Sequence, residues 1–154
     1  METPSEADQL KAQIDDLNHQ IGAQKQVINK QEEELLQQAK FREMVQTSNS
    51  IILKLDANFN FTYLNPYALT FFGFTETELI GKNAVGTIIP FQASTGANLR
   101  NMIADMLKNP ESFVDNENEN IRKNGERIQI AWRNKALWDK KGNFSGLLSF
   151  GYNI

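Results

Sequence analysis

The sequence predicts an α+β domain, antiparallel strands with short helices on one face, preceded by a long coiled-coil helix. Three observations predict it: an apolar heptad confined to the first 46 positions, a concentration of aromatics beyond them, and short strand patterns punctuated by turn residues. Residues 1–46 hold nine acids, five bases, nine Gln, one Gly and one aromatic, Phe41, whereas the other 14 aromatics all follow. Aromatics carry much of the buried area of a small core, so this split marks a solvated rod followed by a packed globule. The expected boundaries are 1–46 for the helix and 47–154 for the domain, a length sufficient for one ordinary core.

In the rod, Leu10, Ile14, Leu17, Ile21, Ile28 and Leu35 fall at alternating spacings of four and three, with Gln24 and Gln31 in the two intervening seam positions. This is the a/d pattern of a coiled coil. So narrow a stripe cannot bury itself on a lone helix, and Ile at a with Leu at two d positions favours two parallel strands; a homodimer through the N-terminal helix is expected. A helix of about 40 residues at ~1.5 Å each would far outrun a small domain, which disfavours the stripe folding back on it. The two Gln weaken the seam and set its register or strand number. His19, the only histidine, reads as a solvent-facing residue of this polar helix.

The second segment begins with strand patterns at Ile51 to Asp56 and Asn60 to Asn65, read as a hairpin. Asn65-Pro66 then starts a helix, Asn as N-cap and Pro at the first helical position, ending at Gly73. Thr75 to Glu78 is a capping box opening a short helix that stops at Gly81. A third helix, about Ser94 to Lys108, carries Leu99, Met102, Ile103, Met106 and Leu107 on one face. Strands are expected at Phe113 to Arg122 and Glu126 to Trp138, joined at Asn124-Gly125 because both residues tolerate the positive φ of a type I′ turn. Ile128, Ile130, Trp132, Ala136 and Trp138 share a face, and a last strand, Phe144 to Asn153, is apolar on both faces.

Composition also excludes function classes. The absence of Cys removes disulfides, thiolate metal sites, a Cys nucleophile and cysteinyl cofactor adducts. There is no apolar run of about 18 residues, and the N-terminus is polar and acidic, so a cytoplasmic protein without a membrane span is expected. A net charge of −3 without a basic stripe argues against nucleic acid and anionic membranes as partners. No catalytic constellation is visible, since the second segment has neither His nor Cys. Asp115, Glu117 and Glu119 alternate along a strand and read as a solvated edge face rather than a calcium site.

The order of two strands, short helices, one longer helix and three strands resembles the PAS family over about residues 41–154. Thr62-Tyr63-Leu64-Asn65-Pro66 is similar to its second strand and Asn-Pro turn, and Phe72-Gly73-Phe74 with Glu78-Leu79-Ile80-Gly81-Lys82 to its helix-turn string. Arg122-Lys123-Asn124-Gly125-Glu126 with Trp132, and Asp139-Lys140-Lys141-Gly142-Asn143, resemble its last two turns. Each string is weak alone; their order and spacing are specific. Two places depart from the pattern. The first hairpin has Phe59 where members usually have Gly, so its positive φ is expected elsewhere, at Asn58; and the final Gly151-Tyr152-Asn153-Ile154 has Asn153 where members have Asp.

The resemblance implies a five-stranded antiparallel sheet that encloses, with the helices, a pocket for a small molecule or cofactor. It also implies a sensory role in signal transduction, relayed through the coiled coil to an effector of histidine kinase or cyclase type outside this chain. Haem is disfavoured because His19 lies outside the domain. A cysteinyl flavin or thioester-linked chromophore is excluded by the lack of Cys, which leaves noncovalent flavin compatible with the composition. Flavin-holding members use aromatics and amides, and Asn65, Phe71, Phe91, Trp132 and Asn134 are the candidate cofactor-binding residues. Each also has a plainer reading: core packing for Phe71 and Trp132, a helix cap for Asn65, backbone satisfaction for Asn134. A ligand-free structural dimerisation module is the alternative function.

Overall fold

The computed structural model describes residues 4–154. The chain divides into two compact units, one up to Glu43 and one running Met44–Ile154. Helix α1, Glu6–Thr47, opens on a reciprocal pair in which the Asp8 amide donates to Ser5 Oγ and the Ser5 amide to Asp8 Oδ2, each at 3.3 Å. No α1 residue is buried, and the six apolar seam residues are 47–64% exposed.

The second unit is a five-stranded antiparallel sheet with the spatial order β2-β1-β5-β4-β3. Its strands are β1 Ile51–Asp56, β2 Phe61–Leu64, β3 Asp115–Ile121, β4 Arg127–Trp138 and β5 Phe144–Asn153. Between β2 and β3 the chain crosses one face as α2 Pro66–Phe72, α3 Glu76–Leu79, α4 Leu99–Lys108 and a 3-10 turn Pro110–Phe113. The core lies between that helical layer and the sheet. Ile51, Leu53, Leu55, Phe61, Ile130 and Leu147 from the strands meet Phe72, Leu79, Ile103 and Met106 from the helices, all at most 6% exposed. The local signals explain the starts: Asn65 caps α2 by accepting from the Ala68 amide, and Thr75 with Glu78 forms the capping box of α3.

The structure corrects several expectations. The third helix begins at Leu99, not near Ser94: Gly96 at φ 87° turns the chain, and Asn98 is the cap, accepting from the Asn101 amide at 3.0 Å. On this helix Leu107 is exposed, so the core face is Leu99, Ile103 and Met106. Phe113 ends the 3-10 turn that Pro110 starts, and β3 begins two residues later. Trp138 leaves the face of Trp132, because the β4–β5 register shifts between Leu137 and Trp138 and the indole ends 49% exposed. The positive φ of the first hairpin is carried not by Asn58 but by Phe59 itself, at 66°.

The acidic alternation is corrected too. The strand is at the sheet edge as expected, but Asp115 is paired with Arg133 at 2.8 Å across the ladder and Glu119 is buried and paired. The opposing cations lie on β4, the hairpin partner, which a reading along one strand does not reach.

Candidate functional site

The inner face of β3 is made of amides. Asn116, Asn118 and Asn120 alternate with the acids, so the pleat turns all three toward the helices. The antiparallel register sets Asn116 opposite Trp132 on β4, and Asn134 opposite Ser149 on β5. Ser149 Oγ donates to Asn134 Oδ1 at 2.7 Å, and Asn134 Nδ2 donates to Asn116 Oδ1 at 2.6 Å and to the Phe113 carbonyl at 2.9 Å. Asn116 Nδ2 donates to Asn118 Oδ1 at 3.1 Å, Asn118 Nδ2 to Asn120 Oδ1 at 3.2 Å, and Asn120 Nδ2 to the Ile88 carbonyl at 3.0 Å. Trp132 Nε1 adds a second donor to Asn120 Oδ1 at 3.1 Å. With these orientations each of the four amides both accepts and donates, and all point the same way along the chain, an arrangement in which neighbouring hydrogen bonds polarise one another.

The rest of the lining is apolar: Leu55 and Leu147 beside the amides on the sheet, and Phe59, Ile88, Met102 and Ile103 from the loops and α4. The space between them is about 30 Å³, enough for one or two water molecules and far below the ~300 Å³ at which ligand pockets usually begin. The amides are the right chemical type for the heteroatom edge of a flavin. The volume is not: a tricyclic ring does not fit the cavity in this form, where Phe59 and the α4 side chains fill the room it would need.

Of the five predicted binding residues, the structure brings only Trp132 and Asn134 to this cavity. Asn65 is elsewhere and wholly buried: its Oδ1 accepts from the Ile52 and Ala68 amides, and its Nδ2 donates to the carbonyls of Val45 and Ser50. It is a clasp between the end of α1, β1 and α2. Phe71 lies under the Arg122 guanidinium, 4.3 Å from its ring centre, and stacks with Tyr67. Phe91 is 58% exposed beside Arg100 and borders only open hollows. The structure places these three away from the cavity: Asn65 in the clasp, Phe71 beneath Arg122 and Phe91 at the surface.

Asn116, Asn118, Asn120 and Ser149 were missed. The signal was present as a period-two run of Asn interleaved with the acids: Asn is depleted from strands, so three on one face of a strand call for a polar interior or an exposed one. Beside the amide chain, Glu119 ties the segment before α4 to the sheet edge. Ser94 donates to it from both its amide, at 3.0 Å, and its hydroxyl, and Arg127 donates from the other side while also bonding the Gln92 carbonyl. The Ser94 hydroxyl bond holds the Glu119 carboxyl below the ordinary glutamate range, burial opposing and Arg127 reinforcing.

This fold agrees with the comparisons. The PAS domain family matches residues 48–154, and the chain belongs to that family. Among solved structures, it is similar to an RNA-binding light-oxygen-voltage receptor, with 16% identity and a TM-score of 0.64 over 78% of this chain; the chain spans 34% of that receptor's length. It is also similar to the PAS domain of a protein from Colwellia psychrerythraea, with 16% identity and a TM-score of 0.61 over 78% of this chain and 96% of the other. A PAS domain from a two-component sensor histidine kinase matches at 10% identity and a TM-score of 0.55, over 79% of this chain and 99% of that one. At these identities the likeness is one of fold. No curated protein matches the chain. PAS domains are sensory modules and generally non-catalytic, and no described helix is long and apolar enough to cross a membrane.

Proposed function

We propose that this domain senses a small hydrogen-bonding molecule held against the Asn116–Asn118–Asn134–Ser149 wall, and passes the signal through a dimeric α1 to a cytoplasmic effector of histidine kinase or cyclase type. One observation carries the reading: a directional chain of four amides stands in the core. Each buried amide demands partners for its donors and its acceptor, a requirement apolar side chains would not impose at the same positions, so the chain's presence favours a recognition role. The opposite wall includes Met102 and Met106, unbranched side chains that repack readily, so α4 is the side that yields when a ligand larger than water enters. A ligand that binds only the opened form shifts the population toward it.

A second reading, a ligand-free structural dimerisation module, is favoured by the 30 Å³ cavity and by the mutual satisfaction of the amides. The two are separated by an absorption spectrum of freshly purified protein, followed by mass spectrometry of the supernatant after denaturation. A chromophore or a stoichiometric released compound, lost in Asn134→Leu, supports the sensor. A flat spectrum, no released compound, and no thermal shift across a metabolite panel leave the structural module. The dimer is tested separately: Ile14→Lys with Ile21→Lys places like charges in the seam and is expected to give a monomer in sedimentation, while an unchanged dimer refutes pairing through α1.

A further inference from the structure

The amide chain of the cavity wall can run in only one direction, because several of its contacts admit no choice of donor. Trp132 Nε1 can only donate and the Ile88 carbonyl can only accept, so Asn120 must turn Oδ1 to the indole and Nδ2 to Ile88. Asn118 is then fixed as well, its Nδ2 donating to Asn120 Oδ1 and to the Glu119 carbonyl at 3.1 Å. Asn134 is fixed by the Phe113 carbonyl, which takes only a donor. Asn116 lies between the two and has to accept from Asn134 and donate to Asn118. At the far end, Asn134 Oδ1 leaves the Ser149 hydroxyl no part but that of donor. Reversing the chain would strip partners from the Ile88 and Phe113 carbonyls and from the buried indole N–H, each a loss that buried groups make costly.

What this direction leaves over for a ligand is lopsided. Asn118 and Asn134 use both amide protons within the protein, so of the cavity's four polar side chains with amide or hydroxyl groups in the chain only Asn116 keeps an N–H to give. On the acceptor side, Ser149 Oγ accepts from no described residue, and Oδ1 of Asn116, of Asn118 and of Asn134 each accepts once where it could accept twice. No lining residue is ionisable, so an ion of either sign would be buried without a counter-charge. A flavin's pyrimidine edge, two carbonyls around an N–H, asks this wall for two donors and finds one. We infer that the ligand of this wall is an uncharged molecule that donates hydrogen bonds to it through N–H or O–H groups, chiefly to Ser149 Oγ and Asn134 Oδ1, and turns an apolar body toward α4. This rests on the sensory reading above and narrows its ligand to a donor class.

The test uses the full chain and two probes of the same ring shape: pyrrole, which donates an N–H, and furan, which donates nothing. Met102→Ala, at a half-buried position on the α4 side of the cavity, makes room for either. Binding is read by NMR from the indole N–H of Trp132 and the side-chain amides of Asn116 and Asn134. Pyrrole is expected to bind about five-fold tighter than furan or better, the ratio that one added hydrogen bond supplies. Asn134→Leu in the same background is expected to bring the ratio to about two-fold or less. A cavity without acceptors would prefer furan, which has no N–H to desolvate. Furan bound as tightly as pyrrole, or a preference that Asn134→Leu leaves unchanged, therefore overturns the donor class while the cavity stands as a binding site. If neither probe moves these signals, the sensory reading falls and the donor class with it. A second measurement needs no probe: scalar couplings across hydrogen bonds are expected from Asn120 Nδ2 to the Ile88 carbonyl carbon and from Asn134 Nδ2 to that of Phe113. Their absence in folded wild-type protein overturns the direction of the chain and the ligand class drawn from it.

Discussion

Phe59 and Gly142 occupy the same place in two copies of one turn. In the first hairpin Asp56 Oδ1 accepts from the amides of Asn58 and Asn60 at 2.8 and 2.9 Å; in the last, Asp139 Oδ1 accepts from those of Lys141 and Asn143 at the same distances. The fourth residue is left-handed in both, φ 66° at Phe59 and 80° at Gly142. Glycine takes that conformation freely, whereas for other residues it costs about 1–2 kcal/mol. What holds Phe59 there is burial: its ring is 2% exposed and lines the small cavity.

It follows that the two positions respond in opposite ways to the same glycine rule. Phe59→Gly relieves the backbone but empties a core site whose truncation costs about 3–5 kcal/mol, for an expected net loss of about 2 kcal/mol in urea unfolding. It also widens the cavity, so an apolar probe too large for the wild type gains a site. Gly142→Ala, with open space around it, is expected to lose only the conformational 1 kcal/mol or so. A stabilised Phe59→Gly would show that the ring contributes nothing to the core.

Trp132 is seated on a glycine. A methyl added at Gly151 would stand 2.6 Å from the indole, closer than real side chains approach. Gly151→Ala is therefore expected to destabilise by about 1–3 kcal/mol through overpacking, and Trp132→Ala by about 3 kcal/mol or more through the cavity it leaves. The pair shares one volume, so the double variant is expected to be less damaged than the sum of the singles by at least about 0.5 kcal/mol. Strict additivity in denaturant titrations would mean that the indole is not held against β5.

The elements whose determinants are local were legible in the sequence. Asn65-Pro66, the Thr75 capping box and Asn124-Gly125 work within a few residues, and the structure has α2, α3 and the β3–β4 turn where these signals stand, although that turn is not the expected type I′: Gly125 alone takes a positive φ, 87°, and Asn124 does not. What escaped is what depends on register between strands. Whether Asn116 or Asp115 faces the core is decided by pairing with β4, and the fate of Trp132, Asn134 and Ser149 by which β5 residue each meets. Phe59 escaped for a different reason: a packing gain of several kcal/mol overrode a backbone preference of one or two, and only the global fold holds both terms.

Asn65 makes a different kind of test, because it acts through both ends of one amide. Asn65→Asp keeps the acceptor for the Ile52 and Ala68 amides but replaces the two donations to the carbonyls of Val45 and Ser50 with repulsion. A loss of about 1–3 kcal/mol is expected, together with faster amide exchange across 44–50 and little change in α2. Equal exchange in both segments would assign Asn65 to the helix cap alone.

Glu119 sets the response to acid. Its carboxyl is held below the ordinary value by the Ser94 hydroxyl bond, against burial and with Arg127, so the folded state binds its proton less readily than the unfolded chain, whose glutamates titrate near ~4.3. The sign is fixed by that order. The contribution is complete above the unfolded value, shrinks as the pH falls below it, and is gone once the pH passes the folded value. Glu119→Gln removes the charge but keeps much of the shape. It is expected to be less stable than the wild type by about 1 kcal/mol at pH 7, discounting for the exposed side of Arg127, with the gap closing between about pH 5 and pH 3. Because Glu119 also fastens Ser94 and, through Arg127, Gln92, the same variant is expected to speed exchange in the segment before α4 at neutral pH while leaving β1 and β2 unchanged. Urea midpoints measured from pH 3 to pH 7 decide it: a gap that stays constant across that range would remove the carboxylate's charge from the explanation and leave only its shape.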